Sequence, residues 1–256
     1  MIHPSAIIDP GAILAEDVSV GPFTIIGPGV EIGSGTTIGP HVVIRGPTRI
    51  GRENRIFQFA SVGEDPQDKK YQGEVTRLEI GDQNVIREYC TIHRGTAQDQ
   101  SLTRIGNDNL LMAYTHVAHD CVIGDGVIMA NGASLAGHVS VDDYAILGGF
   151  SLVHQFCRIG RHSFSGMGSV ISRDIPPYVM VGGSPTKPRG INNVGMERRG
   201  YDAEAILQIK RAFKVIYKSR LKLEEAIEHL AAMAKQSPEI LPILEFLQQS
   251  GRSIIR

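Results

Sequence analysis

A histidine, a carboxylate and a glycine in this sequence have the types and the spacing that acyl transfer requires. His119 and Asp120 are adjacent, and Gly137 follows His119 by eighteen residues. A carboxylate can orient an imidazole so that the ring removes a proton from an attacking hydroxyl group. A glycine amide can approach the reacting carbonyl and donate a hydrogen bond to the oxyanion that forms there. We therefore take these three residues as the candidate catalytic group.

More histidines lie near this group in the sequence, and they leave a metal site as an alternative. His116 precedes it and His138 follows it directly. Together with His119 they could offer three imidazole ligands to zinc, as in the β-helical carbonic anhydrases. We favour the metal-free interpretation, because those enzymes would not need the C-terminal helices and the long loops that this chain also contains.

A repeat of six residues must position these side chains. Aliphatic residues occupy every sixth position from Ile2 to Val62, and again from Ile105 to Ile171 with Ser165 as the one polar member. A repeat this short is typical of a parallel β-helix, in which three hexads form one triangular coil. A residue and the one eighteen positions later then lie on neighbouring coils, about 4.8 Å apart.

Counting by eighteen predicts a column of residues along one edge of this prism. His119, Gly137 and Gln155 share one turn position on successive coils. His138 lies next to the glycine, and His154 lies next to the glutamine. The candidate base and the candidate oxyanion donor are therefore expected to be neighbours in space.

Two insertions interrupt the repeat. Residues 63–79 are expected to stand in for one coil as an extruded loop, and residues 95–104 form a second loop that shifts the register by one. Insertions into a strict solenoid commonly carry binding function. We expect both loops to contribute to a binding site.

Outward-facing positions of the later coils are apolar, which indicates a subunit interface. A flat-sided prism favours a three-fold assembly, so we expect a homotrimer. The apolar outward residues are Leu110, Val122, Ile128, Ile146, Leu152, Phe164 and Val170.

The end of the chain changes from a β pattern to a helical pattern. Proline and glycine between Pro176 and Gly190 end the solenoid. Asp202 can cap a first helix, a second helix follows, and Ser237 with Pro238 can begin a third. We therefore predict a mainly β chain with two domains, a β-helix over residues 1–190 and a helical domain over residues 191–256.

Composition limits the partners and the compartment. A formal net charge of −1 gives no overall attraction to nucleic acid or to anionic membranes. No run of eighteen apolar residues and no signal-peptide pattern occurs, so we expect a cytoplasmic protein without membrane insertion. Cys90, Cys121 and Cys157 have no metal-type spacing and occupy small core positions of the repeat.

Seven motifs in this order closely resemble the acyl-carrier-protein-dependent UDP-N-acetylglucosamine O-acyltransferases of lipid A biosynthesis. The resemblance covers essentially the whole chain. The motifs are IFQFASVGE at 56–64, TIHRGT at 91–96, NLLM at 109–112, HVAHDC at 116–121, LAGHVSVDD at 135–143, HQFCRIG at 154–160 and MERRG at 196–200.

This resemblance implies a left-handed β-helix, assembled as a homotrimer with active sites between subunits. It implies transfer of a (3R)-3-hydroxyacyl group from the phosphopantetheine of acyl carrier protein to the 3-hydroxyl of UDP-N-acetylglucosamine, without a metal or a bound cofactor. His119 would be the general base, Asp120 its orienting partner and Gly137 the oxyanion donor. The residues that it implies for substrate binding are Asp68, Lys70, His116, His138, His154, Gln155, Asn192, Arg198 and Arg199.

Met167 occupies the position at which this family limits the length of the acyl chain. It lies 48 residues after His119, which is roughly 13 Å along the axis of the solenoid. Family members that accept long chains have glycine there, so the bulky methionine implies a donor of about ten carbons. Val194 and the segment 183–185 depart from the family pattern near the nucleotide, which weakens any prediction of the uridine contacts.

Three rival functions remain open at this point. The N-acyltransferase of the same pathway uses the same solenoid, but it would carry an extra domain before the repeats. An acetyl-CoA-dependent hexapeptide acetyltransferase would differ in its donor. A non-catalytic solenoid that only binds carrier protein would not depend on His119. A basic docking face for the acidic carrier protein is expected from Arg158, Arg161, Lys187, Arg189, Arg198, Arg199, Lys210, Arg211, Lys214 and Lys218.

Overall fold

The computed structural model, which describes residues 1–249 and 253–256, is a three-sided parallel β-helix followed by four α-helices. Sheet A contains Ile7–Ile8, Ile25–Ile26, Val43–Ile44, Ser61–Glu64, Thr91–His93, His116–Val117, Ser134–Leu135, Leu152–Val153 and Val170–Ile171. Sheet B contains Ile13–Leu14, Val30–Ile32, Thr48–Ile50, Arg77–Ile80, Leu102–Ile105, Val122–Ile123, Ser140–Val141 and Arg158–Ile159. Sheet C contains Ser19–Val20, Thr37–Ile38, Arg55–Ile56, Val85–Ile86, Leu110–Leu111, Ile128–Met129, Ile146–Leu147, Phe164–Ser165, Val179–Gly182 and Lys187–Ile191.

The chain visits the sheets in the order A, B, C and then returns to A. Each coil therefore turns at three edges, which we call edge AB, edge BC and edge CA. Regular coils pair residues eighteen apart, as in Ile7 with Ile25 and Val122 with Ser140. Counting by eighteen thus identifies neighbours correctly wherever no insertion intervenes.

The residues at every sixth position form the core of the prism. Its aliphatic residues point inward, and from Val20 to Ile171 they are buried. Ile2 is 52% exposed, because the first coil has a neighbour on one side only. Ser165, the polar exception, is buried beside Ser151, with 2.8 Å between the two hydroxyl oxygens. Its hydrogen bond offsets the cost of burying a hydroxyl in an aliphatic row.

The first insertion does not replace a coil, contrary to the sequence prediction. Leu78 of sheet B pairs with Thr48, 30 residues earlier, and the preceding strand Ser61–Glu64 pairs normally in sheet A. Residues 65–76 therefore extend a single turn at edge AB, between two consecutive strands. The second insertion, residues 94–101, extends the same edge one coil later, and the register shift expected from it is confirmed.

The solenoid ends in a hairpin that the sequence analysis missed. The strand Val179–Gly182 pairs in parallel with Phe164–Ser165 and antiparallel with Lys187–Ile191. The predicted boundary at residue 190 falls within this last strand.

Four helices follow the hairpin: α1 (Asn193–Arg198), α2 (Ala203–Tyr217), α3 (Leu223–Ala234) and α4 (Leu241–Gln248). Asp202 caps α2 as predicted, accepting a hydrogen bond from the Ala205 amide at 2.8 Å. The predicted third helix begins with a 3₁₀ turn over Pro238–Ile240, and the side chain of Ser237 makes no capping hydrogen bond to it. Ile209, Phe213 and Ile216 of α2 join the same core as the solenoid. Among the residues described, none of the helices is both long and apolar enough to cross a bilayer.

Candidate active site

His119 and Asp120 form a hydrogen-bonded pair at edge AB. The turn between His116–Val117 and Val122–Ile123 carries both residues, and their Nδ1 and Oδ2 atoms are 2.9 Å apart. Asp120 has a φ of 58°, a left-handed conformation that lets its carboxylate reach the ring of the preceding residue. If Nδ1 carries the proton, Nε2 is the unprotonated nitrogen available to a substrate.

The carboxylate of Asp120 is buried and ionised. Its oxygens accept hydrogen bonds from the Thr96 amide at 2.9 Å and the Thr96 hydroxyl at 2.6 Å. Burial alone would raise the pKa of Asp120, but the hydrogen bonds from His119 and Thr96 outweigh burial and lower it. A negative charge is thus held beside the imidazole of His119, where it would stabilise the protonated form of the ring.

Gly137 lies directly against the His119 ring. A Cβ atom placed on Gly137 would be 2.5 Å from Cε1 and 2.7 Å from Nε2 of His119, so only glycine fits. Within the described chain the Gly137 amide has no hydrogen-bond acceptor. The side chain of His119 is 14% exposed, so the ring is accessible at the edge and is not enclosed in the prism. The predicted juxtaposition of base and bare amide is present.

A second column runs beside the first and contains His138. Asp120, His138 and Phe156 are eighteen residues apart, and all three have a positive φ. The His138 ring stacks on Phe156 with centroids 4.4 Å apart and meets His119 edge-on at 5.0 Å. Its Nδ1 lies 2.8 Å from Oδ2 of Asp99, in the second insertion. The site therefore includes a second imidazole with its own carboxylate partner.

The three-imidazole zinc set is not assembled. His116 is on the outward side of sheet A, where its Nδ1 lies 2.8 Å from the Thr91 hydroxyl. Burial and the nearby His93 and His119 lower the pKa of His116 to about 4, so it is neutral at pH 7. Candidate metal ligand atoms of His119, Asp120 and His138 do lie within 4.8 Å of one another. This group has two imidazoles and one carboxylate, all three already hydrogen-bonded, and so differs from the predicted set of three imidazoles.

The first insertion brings Asp68 and Lys70 to the same edge. Asp68 is half-buried and accepts a hydrogen bond from the Lys70 amide, whose side chain is exposed. The buried Arg94 fastens this loop by donating to the Gly63 carbonyl, to Asp65 and to the Tyr71 hydroxyl. Both insertions therefore lie at the edge that carries His119, which the sequence analysis had not predicted.

His154 and Gln155 lie farther along edge AB, beyond Gly137. Both side chains are exposed, and His154 Nδ1 lies 3.2 Å from the Gln155 carbonyl oxygen. Both side chains are therefore accessible from solvent at the edge that carries His119.

Asn192 and Arg199 are at edge BC, and Arg198 lies with Ile146 and Phe164 at the outward face of sheet C, so all three are away from His119. Asn192 caps α1 and also donates to the His162 carbonyl, while the Arg199 guanidinium lies 4.3 Å over the Tyr144 ring at that edge. Within one copy of the chain, these three residues are therefore not brought together with the predicted site residues at edge AB.

Met167 is at the third edge, CA, between Phe164–Ser165 and Val170–Ile171. Its side chain is 80% exposed. The count of coils from His119 was right, but the two residues lie on different edges. Within one copy of the chain, a straight groove along one edge therefore cannot connect them.

The sequence analysis missed three residues at this site. Phe156 lies eighteen residues after His138, so the count used for His119 would have found it. Thr96 and Asp99 had no such signal, because the insertion that holds them breaks the register.

The prediction that the three cysteines are core residues is confirmed. Cys90, Cys121 and Cys157 are buried, and burial raises the pKa of Cys121 to about 12. A thiol in this state is a poor nucleophile.

Known proteins resemble this chain over its full length. A family model described as Udp N-acetylglucosamine O-acyltransferase, Domain 2, matches residues 174–255, and one for bacterial transferase hexapeptides matches 11–46 and 102–137. A relative from Thiobacillus denitrificans, named acyl-[acyl-carrier-protein]--UDP-N-acetylglucosamine O-acyltransferase, is 58% identical and covers 100% of this chain and 99% of its own. A relative of the same name from Pseudomonas syringae pv. tomato is 60% identical, with the same coverage.

Solved structures show the same fold. LpxA from Acinetobacter baumannii has a TM-score of 0.98 at 51% identity, covering 100% of this chain and 99% of its own. The UDP-N-acetylglucosamine acyltransferase of Francisella novicida also has a TM-score of 0.98, at 43% identity, covering 100% and 94%. The predicted fold class, a left-handed parallel β-helix followed by helices, is confirmed.

Proposed function

The chain belongs to the acyl-carrier-protein-dependent UDP-N-acetylglucosamine O-acyltransferases, which catalyse the first step of lipid A biosynthesis, and we propose that it works through His119 as a general base. The donor would be a (3R)-3-hydroxyacyl thioester on acyl carrier protein, and the acceptor would be the 3-hydroxyl of UDP-N-acetylglucosamine. The observation that carries the mechanism is the His119–Asp120 pair beside Gly137 at one accessible edge.

The chemistry needs one proton to move twice. Nε2 of His119 takes the proton of the sugar 3-hydroxyl as its oxygen attacks the thioester carbonyl. The carbon–sulfur bond of the resulting tetrahedral intermediate then breaks, and the imidazolium returns the proton to the departing thiolate. Asp120 stabilises the imidazolium between these two steps, and the unpaired Gly137 amide can donate to the oxyanion.

The reaction itself is tested by incubating the purified protein with UDP-N-acetylglucosamine and carriers loaded with 3-hydroxyacyl or plain acyl chains. We expect release of one thiol for each 3-O-acylated sugar nucleotide, identified by mass spectrometry. Two further incubations replace the donor by acetyl-CoA or the acceptor by UDP-3-O-acylglucosamine, which has a free 2-amino group. Transfer from acetyl-CoA but not from the acyl carriers, or acylation of that 2-amino group but not of UDP-N-acetylglucosamine, would contradict the proposed reaction.

We further propose that a neighbouring copy completes the site, in a homotrimer. Edge AB carries the base, whereas Arg199 lies at edge BC and Arg198 at the outward face of sheet C. Outward apolar side chains on sheets A and C give two faces that could pack against each other between copies. Leu152 and Val170 lie on sheet A, and the row on sheet C is Leu110, Ile128, Ile146 and Phe164.

Mixing two impaired variants tests whether the site is shared. His119→Ala and Arg199→Ala are each expected to lose most activity as pure trimers. Refolding them together at equal amounts should restore about a quarter of the sites, because one in four pairings joins an intact His119 to an intact Arg199. Persistent inactivity of the mixture would place both residues in the same subunit's site.

We propose that Met167 limits the acyl chain to about ten carbons. Its exposed side chain at edge CA would end an apolar path that crosses between subunits. Met167→Gly should shift the preferred donor toward longer chains, with Met167→Leu as a matched control that keeps the bulk. An unchanged preference in Met167→Gly would remove this role.

Acyl carrier protein, which is acidic, is proposed to dock on the exposed cations of α2 and the adjacent strand Lys187–Ile191. Lys210, Arg211 and Lys214 on α2 and Lys218, which follows its last residue, are all exposed. Reversing the charges of Lys210 and Lys214 should raise KM for the acyl carrier several-fold and leave KM for the sugar nucleotide unchanged. Reversal of Lys235, after α3, is the control.

A further inference from the structure

The second insertion is fastened to the catalytic pair near both its ends. At its start, Thr96 donates two hydrogen bonds to the Asp120 carboxylate, from the amide and from the hydroxyl. Just past its end, the Thr103 hydroxyl accepts a hydrogen bond from the Asp120 amide at 2.8 Å. All three residues are buried. The loop and the orienting carboxylate are therefore one hydrogen-bonded unit.

The neck of the loop is shaped to admit this carboxylate. A Cβ atom on Gly95 would lie 2.1 Å from the Leu102 amide nitrogen and 2.8 Å from Oδ1 of Asp120. Glycine at this position lets the two ends of the loop close around Asp120. A side chain there would push the loop and the carboxylate apart.

The tip of the same loop reaches the second imidazole. The amides of Asp99 and Ser101 both donate to the Thr96 carbonyl, which folds the loop back on its own start. This places Oδ2 of Asp99 2.8 Å from Nδ1 of His138, whose ring is held by Phe156 on its other side. A single loop thus contacts both members of the imidazole pair, one through Asp120 and one directly.

We propose that Thr96 and Asp99 are positioning residues for acyl transfer, Thr96 through Asp120 and Asp99 through His138. This inference rests on the proposed role of His119 as the base. The Thr96 hydroxyl takes up part of the charge of Asp120 and fixes the plane of its carboxylate. Asp99 adds a second negative charge on the far side of the pair.

The two residues should change the pH dependence in opposite directions. The charged or titratable groups that face His119 are Asp120, His138 and His116, with Asp99 acting through His138. Removing the Thr96 hydroxyl leaves more charge on Asp120, which favours the protonated form of His119. Removing the charge of Asp99 disfavours the protonated forms of the neighbouring imidazoles, His138 and His119.

The test compares kcat, KM and pH–rate profiles of four loop variants of the full-length protein, with His119→Ala as a reference. Thr96→Val, which keeps the side-chain shape, should lower kcat by about tenfold to a hundredfold and move the acidic limb of the profile to higher pH. Thr96→Ser should restore both. Asp99→Asn should lower kcat/KM by about fivefold or less, because Asp99 is partly exposed, and move the limb to lower pH. Gln100→Ala, an exposed neighbour on the same loop, should match the wild type.

The outcomes separate this inference from the function on which it rests. A Thr96→Val enzyme with a lower melting temperature and an unmoved limb would show a structural role only and would overturn the proposal. So would wild-type profiles of both Thr96→Val and Asp99→Asn alongside an inactive His119→Ala. Full activity of His119→Ala would instead overturn the proposed function.

Discussion

Replacing Gly137 by alanine should disable the site in a protein that still folds as a solenoid. The added Cβ would lie 2.5 Å from Cε1 and 2.7 Å from Nε2 of His119, and the three heavy atoms nearest to it all belong to that ring. Carbon atoms in contact are normally about 3.5 Å apart. The imidazole must therefore retreat by roughly 1 Å, and a displacement of that size can lower the rate about 100-fold.

The assay is steady-state transfer from a 3-hydroxyacyl carrier to UDP-N-acetylglucosamine, combined with thermal unfolding. In the wild-type background, Gly137→Ala should cost about 1 to 3 kcal/mol of stability from overpacking. In a His119→Ala background the same substitution should cost little, since the obstructing ring is gone. This double-mutant cycle assigns the strain to one pair of residues.

Two results would refute this reasoning. Wild-type kcat in Gly137→Ala would mean that the ring position is not critical. An equal loss of stability in both backgrounds would mean that alanine is resisted by something other than His119.

Three further predictions concern the protein as a whole. Burial of His162, with the charges of Arg161 and Arg199, lowers its pKa from 6.5 to about 4, so the unfolded chain binds more protons between these values and stability should fall as pH is lowered through that window. The fall in melting temperature between pH 7 and pH 4.5 should be smaller in His162→Phe, and an equal fall would contradict the assignment. Asn84→Ala removes the side chain that accepts a hydrogen bond from the buried Asn109 amide and donates one to the Gly106 carbonyl. The loss of these two hydrogen bonds should lower the free energy of unfolding by about 2 to 3 kcal/mol, measured with denaturant. A loss below about 0.5 kcal/mol would contradict this. Cys121, with its pKa raised to about 12 by burial, should react with a thiol reagent at pH 8 only after unfolding, and a fast native reaction would count against that.

Strict periodicity explains why so much of the fold could be predicted from the sequence. In the regular coils, each inward residue has nearly the same environment as the residue eighteen positions away, so its neighbours can be found by counting. The count also placed Gly137 beside His119, because no insertion lies between them. It failed for the first insertion, since a length of eighteen residues between Val62 and Ile80 is compatible with either a replaced coil or an extended turn.

The remaining part of the site depends on geometry that periodicity does not encode. Thr96 and Asp99 sit in a loop whose length breaks the register, so only its folded path brings them to Asp120 and His138. The terminal hairpin was hidden by the glycine and proline of its turn, which indicate a chain break as readily as a hairpin. Met167 was placed on the correct coil, but a distance along the axis does not specify an edge.

The most direct test of His119 as the general base is the single-turnover rate of acyl transfer in His119→Ala, measured with saturating UDP-N-acetylglucosamine and acyl carrier. We expect a loss of about 1,000-fold, with the melting temperature and the oligomeric state unchanged. A rate within tenfold of the wild type, in a protein that folds and assembles normally, would contradict the mechanism.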